Sequence, residues 1–275
     1  MHNFNSAFKT RQNGEIIWEA CCLLEDARLL HGFTTRFGGV SVGAQAGLNL
    51  DHKQDTADNV RQNHLLLAAA MGYNSAAAVS THQIHSDIIR VALAEDEGLH
   101  LDGPTPYECD AVITNRPGQA LICYAADCIP ILLWAEDVSA VAAVHAGWRG
   151  TAADIAAKCV KQLQKHYKAN PAHIKAAIGP GIGPCCFSTH KDVPDAMRAS
   201  FGSSIDECIS PYPPEEGKFL VDLKLINALR LQAAGLPAEN ISISPECTCC
   251  NPDKYWSHRY TGGKRGGQGA VIMLR

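Results

Sequence analysis

Two short apolar runs follow one another along the chain, Ala120–Cys128 and Val138–His145, and each ends in a polar cluster. The first closes on Asp127-Cys128-Ile129-Pro130, the second on His145-Ala-Gly-Trp-Arg-Gly150. Their length and β-compatible composition predict two strands in succession. A thiol and an imidazole at separate strand ends, with the pair His82-Gln-Ile-His85 upstream, supply the soft sulfur and nitrogen donors of a divalent-metal site. With only three protein ligands, zinc keeps an open coordination position, the mark of a catalytic rather than a structural site. His82 and His85 are three apart, so only a helix or turn puts both on one face. In an extended segment they point to opposite faces, and one of them serves.

Composition narrows the class. A chain of 275 residues, 46% hydrophobic, has ample material for a core as one large domain or two small ones. The net charge of −4 and the lack of a Lys/Arg block leave no footprint of nucleic-acid binding. The stretch from Ala120 to Trp148 is broken by Asp127, Glu136 and Asp137, too early for a membrane span. The first eleven residues lack an apolar segment and do not read as a signal peptide. Twelve cysteines in 275 residues fall well below a disulfide scaffold, and the adjacent pairs Cys21-Cys22, Cys185-Cys186 and Cys249-Cys250 suit reduced thiols. The expected compartment is the cytoplasm, and the expected state a monomer.

Helices and strands alternate without a clear linker, which predicts a single α/β (α+β) domain over residues 1–275 with a mixed sheet. His31–Arg36 reads as a strand entering the glycine-rich loop Phe37–Ser41. Asp55–Met71 reads as a helix with Thr56 as N-cap and Gly72 as its stop. Thr151–Tyr167 reads as another, with Thr151 and Asp154 resembling a capping box. Asp222–Ala234 is a third helix, and Ile174–Ile178, Ile241–Ser244 and Ala270–Leu274 are strands.

Several residues beside these elements carry chemistry. Arg149, in the small-residue turn after His145, offers a fork for phosphate or carboxylate, and the following helix offers its N-terminus to an anion. The Lys-Ser/Thr ending of a P-loop is absent. Asp127 is a candidate ligand-orienting group or proton acceptor. Arg36, Arg149, Arg259 and Arg265 stand near element ends, as an anion clamp requires. Trp148 and Phe37 are candidate stacking surfaces for a base. Cys247-Thr-Cys-Cys250 has no second Cys-x-x-Cys or finger-spaced His pair after it, so it reads as a loop thiol pair rather than a four-ligand zinc site.

Taken together, His31-Gly-Phe-Thr-Thr-Arg-Phe-Gly-Gly-Val-Ser41, Gly47-Leu-Asn-Leu50, His82-Gln-Ile-His85, Ala126-Asp-Cys-Ile-Pro-Ile131, Val144-His-Ala-Gly-Trp-Arg-Gly150, Ile178-Gly-Pro-Gly-Ile182 with Cys185-Cys-Phe187, Cys247-Thr-Cys-Cys-Asn-Pro-Asp253 and Ser257-His-Arg259 resemble the YfiH family. Its members are also called laccase-domain proteins or polyphenol oxidases, and the likeness runs in order along nearly the whole chain. The resemblance implies four layers, with helices outside two mixed β-sheets. It implies a zinc ion held by His85, Cys128 and His145, with His85 selected because the family motif reads Gln-x-His. It also implies purine nucleoside phosphorolysis on adenosine, inosine or methylthioadenosine with phosphate, and adenosine deamination as a companion. Phosphate would fall to Arg36, Arg259 and Arg265, and Asp127 and Arg149 would act in catalysis. Departures from the family pattern lie at Asn63-His64, Cys249, Arg259-Tyr260 and Thr261–Arg265, and they touch the anion-binding arginines rather than the metal triad.

Rival expectations have distinct requirements. A copper polyphenol oxidase needs several His-x-His pairs, and this chain has none. A cysteine hydrolase would use Cys128 with His145 as nucleophile and base. A regulatory or cell-wall (peptidoglycan) editing role would show no nucleoside turnover.

Overall fold

The second apolar run becomes a central strand of the molecule, whereas the first becomes Leu121–Ala125, a strand of a different sheet, and Cys128 precedes a further strand instead of ending that one. In the computed structural model, which describes residues 4–275, β8 (Ile129–Ala135) and β9 (Ala140–Ala146) form an antiparallel pair buried along its whole length. Successive side chains point to opposite faces. Ile129, Ile131, Leu133, Ala142 and Val144 enter one core, whereas Leu132, Trp134, Val141 and Ala143 enter another. Both faces of the pair are covered, which is why these strands read as continuous apolar runs rather than as apolar–polar alternation.

This pair is the middle of a six-stranded mixed sheet. Its order is β14 (Ile241–Ile243), β10 (Ile174–Ile178), β8, β9, β6 (Ala111–Thr114) and β5 (Ile89–Val91). A second mixed sheet runs β1 (Phe8–Asn13), β2 (Ile16–Cys21), β3 (Leu29–Thr34), β15 (Gln268–Leu274), β7 (Leu121–Ala125) and β4 (Val79–Ser80). The core between them joins Leu121, Cys123 and Ile272 of one sheet to Leu132, Trp134 and Val141 of the other. Outside one sheet lies α1 (Ala57–Met71), through Leu67, Ala68 and Met71. Outside the other lie α3 (Ile155–Tyr167), α4 (Asp192–Phe201) and α5 (Leu223–Ala233). The result is the expected mixed α/β single domain, in four layers with helices outside two mixed sheets. A third, three-stranded antiparallel sheet of β11 (Ser188–Thr189), β13 (Phe219–Val221) and β12 (Ile209–Pro211) was not expected. Strands of two or three residues are too short to carry a period. No helix among the described residues is long and apolar enough to cross a membrane.

Local signals set most helix ends. Thr56 accepts a hydrogen bond from Asn59 N, and Gly72 takes the left-handed conformation that closes α1. Asp222 caps α5 through Leu225 N. The expected helix over Thr151–Tyr167 is corrected: α2 (Trp148–Ala152) ends there, and α3 begins after Asp154, which sits at φ +64°. Tertiary partners won the side chains read as a capping box. Asn227 Nδ2 donates to Thr151 Oγ1 at 2.9 Å, and Arg230 holds both Asp154 oxygens at 2.8 and 3.0 Å. The α6 turn (His258–Thr261), capped by Ser257, precedes β15.

Candidate functional site

Register brings the predicted donors together. In the β8–β9 ladder Ile129 faces Ala146 and Pro130 faces His145, so Cys128 and His145 emerge at the same end of the sheet. Pro130 lies inside β8. Ala111 faces Val144 on β6, which sets Asp110 beside His145, and Ile89 pairs with Ala111, which brings the segment before β5 alongside.

That segment is a turn, not the extended chain that would oppose the two rings. His85 has φ +61°. The amides of Ile84, His85 and Ser86, and the Ser86 hydroxyl, all donate to the Asp110 carboxylate at 2.7–3.2 Å. His82 turns away, with Nδ1 2.8 Å from Thr105 O.

Asp110, which the sequence reading missed, is fully buried and also lies 2.8 Å from His145 Nδ1. Burial raises a carboxyl pKa, but the bonds from His145 and Ser86 outweigh it and hold Asp110 down to about 2. An ionised carboxylate only accepts, so His145 Nδ1 carries a proton and Nε2 is the nitrogen left for a ligand, which would displace the second proton.

His85, Cys128 and His145 each bring a donor atom within 4.8 Å of the others. Cys128 Sγ stands 3.8 Å from His85 Nε2, and the two imidazoles meet edge-on with centroids 5.1 Å apart. Burial opposes the Cys128 thiolate, yet the charge and hydrogen bonds of His145, then those of His85, bring it down to about 6. The same pairing lifts His145 to about 9 against its own burial. A Cβ on Gly147 would lie 2.9 Å from His85 Cδ2 and 3.2 Å from Cys128 Sγ, so the turn after His145 must be glycine for the three to converge. Two nitrogens and an ionisable sulfur around one point fit a borderline-soft divalent ion.

A cavity of 400 Å³ opens beside this group, within the range of small-molecule sites. Asp127, Trp148, Phe187, His258, Arg259 and Arg265 contribute to its lining, as does Lys53. Arg265 binds Asp51 Oδ2 at 3.0 Å, while its buried Nε has no partner. Arg259 anchors its guanidinium on the Cys186 and Ser188 carbonyls. Asp127, at φ +89°, accepts from Thr248 Oγ1 with one oxygen and from Arg259 N with the other, both at 2.6 Å.

The structure does not bring every expected residue here. Arg36 lies over the Trp256 ring at 4.0 Å and donates to Pro252 O, outside the linings at the His/Cys group. Arg149 is exposed, stacked over Trp148 at 4.2 Å, and Phe37 is likewise not in the lining. Lys53 and Phe187 are additions that no local pattern marked. The reading of Cys247 and Cys250 as an isolated thiol pair is also corrected, because Cys185 and Cys186 lie against them and the four donor atoms fall within 4.8 Å of one another.

The family described as multi-copper polyphenol oxidoreductase laccase matches residues 30–275. A protein named purine nucleoside phosphorylase YlmD, from Geobacillus stearothermophilus, is 34% identical over 267 residues, 94% of each chain. One named adenosine deaminase RL5, from an unknown prokaryotic organism, is 34% identical over 239 residues, 85% of this chain and 89% of its own. The crystal structure of Bacillus licheniformis hypothetical protein YfiH has a TM-score of 0.90 and 31% identity, covering 97% of this chain and 99% of that one. Likeness of this extent in both sequence and fold makes the chain a member of the YfiH, or laccase-domain, family.

Proposed function

We propose that the chain is a zinc-dependent purine nucleoside phosphorylase. It takes adenosine, inosine or methylthioadenosine with inorganic phosphate and releases the free base and the sugar 1-phosphate, with adenosine deamination as a companion activity. The observation that carries this reading is the imidazole–thiolate group of His85, Cys128 and His145, opening on a cavity that combines cationic and aromatic walls. The names of the relatives support the substrate class.

In phosphorolysis a phosphate oxygen bonds to the anomeric carbon as the glycosidic carbon–nitrogen bond breaks, and its electron pair leaves with the purine. Arg259, Arg265 and Lys53 would hold the phosphate and its charge. Trp148 and Phe187 offer faces for the base. Asp127, both oxygens engaged, would act by holding Arg259 and the Thr248 loop in position. Bound between His85, Cys128 and His145, zinc would supply Lewis acidity beside the reacting sugar and base. Copper oxidase chemistry is less well supported. Among the described residues, three or more candidate ligands converge only in this group and in the four-cysteine group.

Incubating adenosine, inosine and methylthioadenosine with and without phosphate, followed by chromatography, tests the reading. Base and sugar 1-phosphate should form only with phosphate. Free ribose independent of phosphate would falsify phosphorolysis, and conversion of adenosine to inosine with no base released would leave deamination as the main duty. One rival has its own structural support, since Cys128, His145 and Asp110 stand in the order nucleophile, base and orienting carboxylate. A thiol hydrolase of that kind would keep its activity after chelation, whereas the proposed activity would be lost.

A further inference from the structure

Two cysteine pairs far apart in sequence meet beside the cavity. Cys185 and Cys186 follow the Gly179–Pro184 turn, and Cys247 and Cys250 lie in the loop between β14 and α6. Their four Sγ atoms lie within 4.8 Å of one another, with Cys250 Sγ 3.5 Å from Cys185 Sγ and 3.4 Å from Cys186 Sγ. A disulfide holds its sulfurs about 2.05 Å apart. Four thiolates about 2.3 Å from one zinc form a tetrahedron with edges of about 3.8 Å, close to the separations seen. An iron–sulfur cluster, with irons and sulfides between its thiolates, would spread them farther. We propose that Cys185, Cys186, Cys247 and Cys250 form a second metal site, a closed four-thiolate structural zinc site.

The surroundings are those of a ligand set. The Gly183 amide donates to Cys247 Sγ at 3.1 Å, and the Cys250 amide also bonds to Cys247, the outer hydrogen bonding that orients thiolate ligands. A Cβ on Gly183 would lie 3.2 Å from Cys185 Sγ and 3.3 Å from Cys247 Cβ, so glycine lets the loops close. Binding releases the thiol protons and leaves two net negative charges on the centre. Buried Lys224, held on the Ser244 and Glu246 carbonyls, supplies one compensating charge nearby. Beyond the thiols, the two loops meet through backbone bonds such as Thr248 N to Gly181 O at 3.1 Å.

The consequence reaches the cavity. The Cys186 carbonyl receives Arg259 Nη1 at 2.9 Å, and Thr248, one residue past Cys247, donates to Asp127. Tying the two loops together therefore fixes the wall that carries Arg259, Asp127 and Phe187. The metal assignment does not depend on which reaction the cavity supports.

The test uses the full chain with Cys128→Ala, which removes the only thiolate of the other group. Protein purified without added metal should retain about one zinc per chain by elemental analysis. After exchange into cobalt it should display intense sulfur-to-cobalt charge-transfer absorption, because among the described residues the other candidate ligand group then has no thiolate. Adding Cys186→Ser and Cys250→Ser to that variant should abolish the band. A Cys128→Ala protein with no zinc and no charge-transfer band overturns the proposal, as does a non-reducing peptide map that joins 185 or 186 to 247 or 250 by a disulfide. Because the decisive measurement leaves all four cysteines intact, misfolding of the triple variant cannot obscure it.

Discussion

The Asp110 carboxylate accepts from His145 Nδ1 at 2.8 Å and, with its two oxygens, gathers the backbone amides that turn the chain at His85. One buried anion thus sets the tautomer of one candidate ligand and the strained φ of another. Burying a carboxylate costs several kcal/mol unless hydrogen bonds replace its water, which here they do from every side.

Asp110→Asn should therefore weaken metal binding at the His85/Cys128/His145 group by about ten- to a hundredfold, the usual effect of losing a partner behind a ligating imidazole. Chelator competition measures it. An unchanged affinity would mean that the two histidines hold their geometry without Asp110.

Gly147→Ala separates sterics from backbone strain. Gly147 has φ −68°, which alanine tolerates, so the penalty comes only from the Cβ at 2.9 Å from His85 Cδ2 and 3.2 Å from Cys128 Sγ. We expect loss of metal from this group while thermal stability falls by only about 1–3 kcal/mol, as for ordinary overpacking. Full metal occupancy would show that the three side chains have more room than their contacts imply.

His82→Ala should keep zinc at this group and His85→Ala should lose it. His82 is committed to Thr105 O, and only His85 faces Cys128. The opposite pattern in elemental analysis would require the turn over residues 81–86 to be rebuilt.

Arg265→Ala and Arg36→Ala should part company. Removing Arg265, a cation in the cavity wall, should raise the KM for phosphate about tenfold, the scale of one lost charge-assisted hydrogen bond. Removing Arg36 should leave that KM alone and lower stability by about 1 kcal/mol through the lost stacking on Trp256. Equal phosphate effects from both would return Arg36 to the binding site.

Much of this was legible because it is local. Thr56 and Gly72 bound α1 as a cap and a stop should, and the apolar stretches Leu121–Ala125 and Ala140–Ala146 read as strands because they are almost wholly buried. Residue type also marked the soft donors at Cys128 and His145, and family motif spacing selected His85. The Thr151–Asp154 signal misled for a physical reason: two side chains that could cap a helix found better partners in Asn227 and Arg230, 76 residues away.

By itself, then, the order of residues determined the strands Leu121–Ala125 and Ala140–Ala146, most helix ends and the chemistry available at the end of β9. Only the tertiary structure decided which groups stand together there. Asp110 reaches His145 across 35 residues through the β6–β9 register, and Cys186 meets Cys250 across 64 through two loops with no shared period. Strand register and loop packing carry no local signature, because a hydrogen-bonded ladder aligns residues by their distance from the sheet end and not by their spacing in the chain.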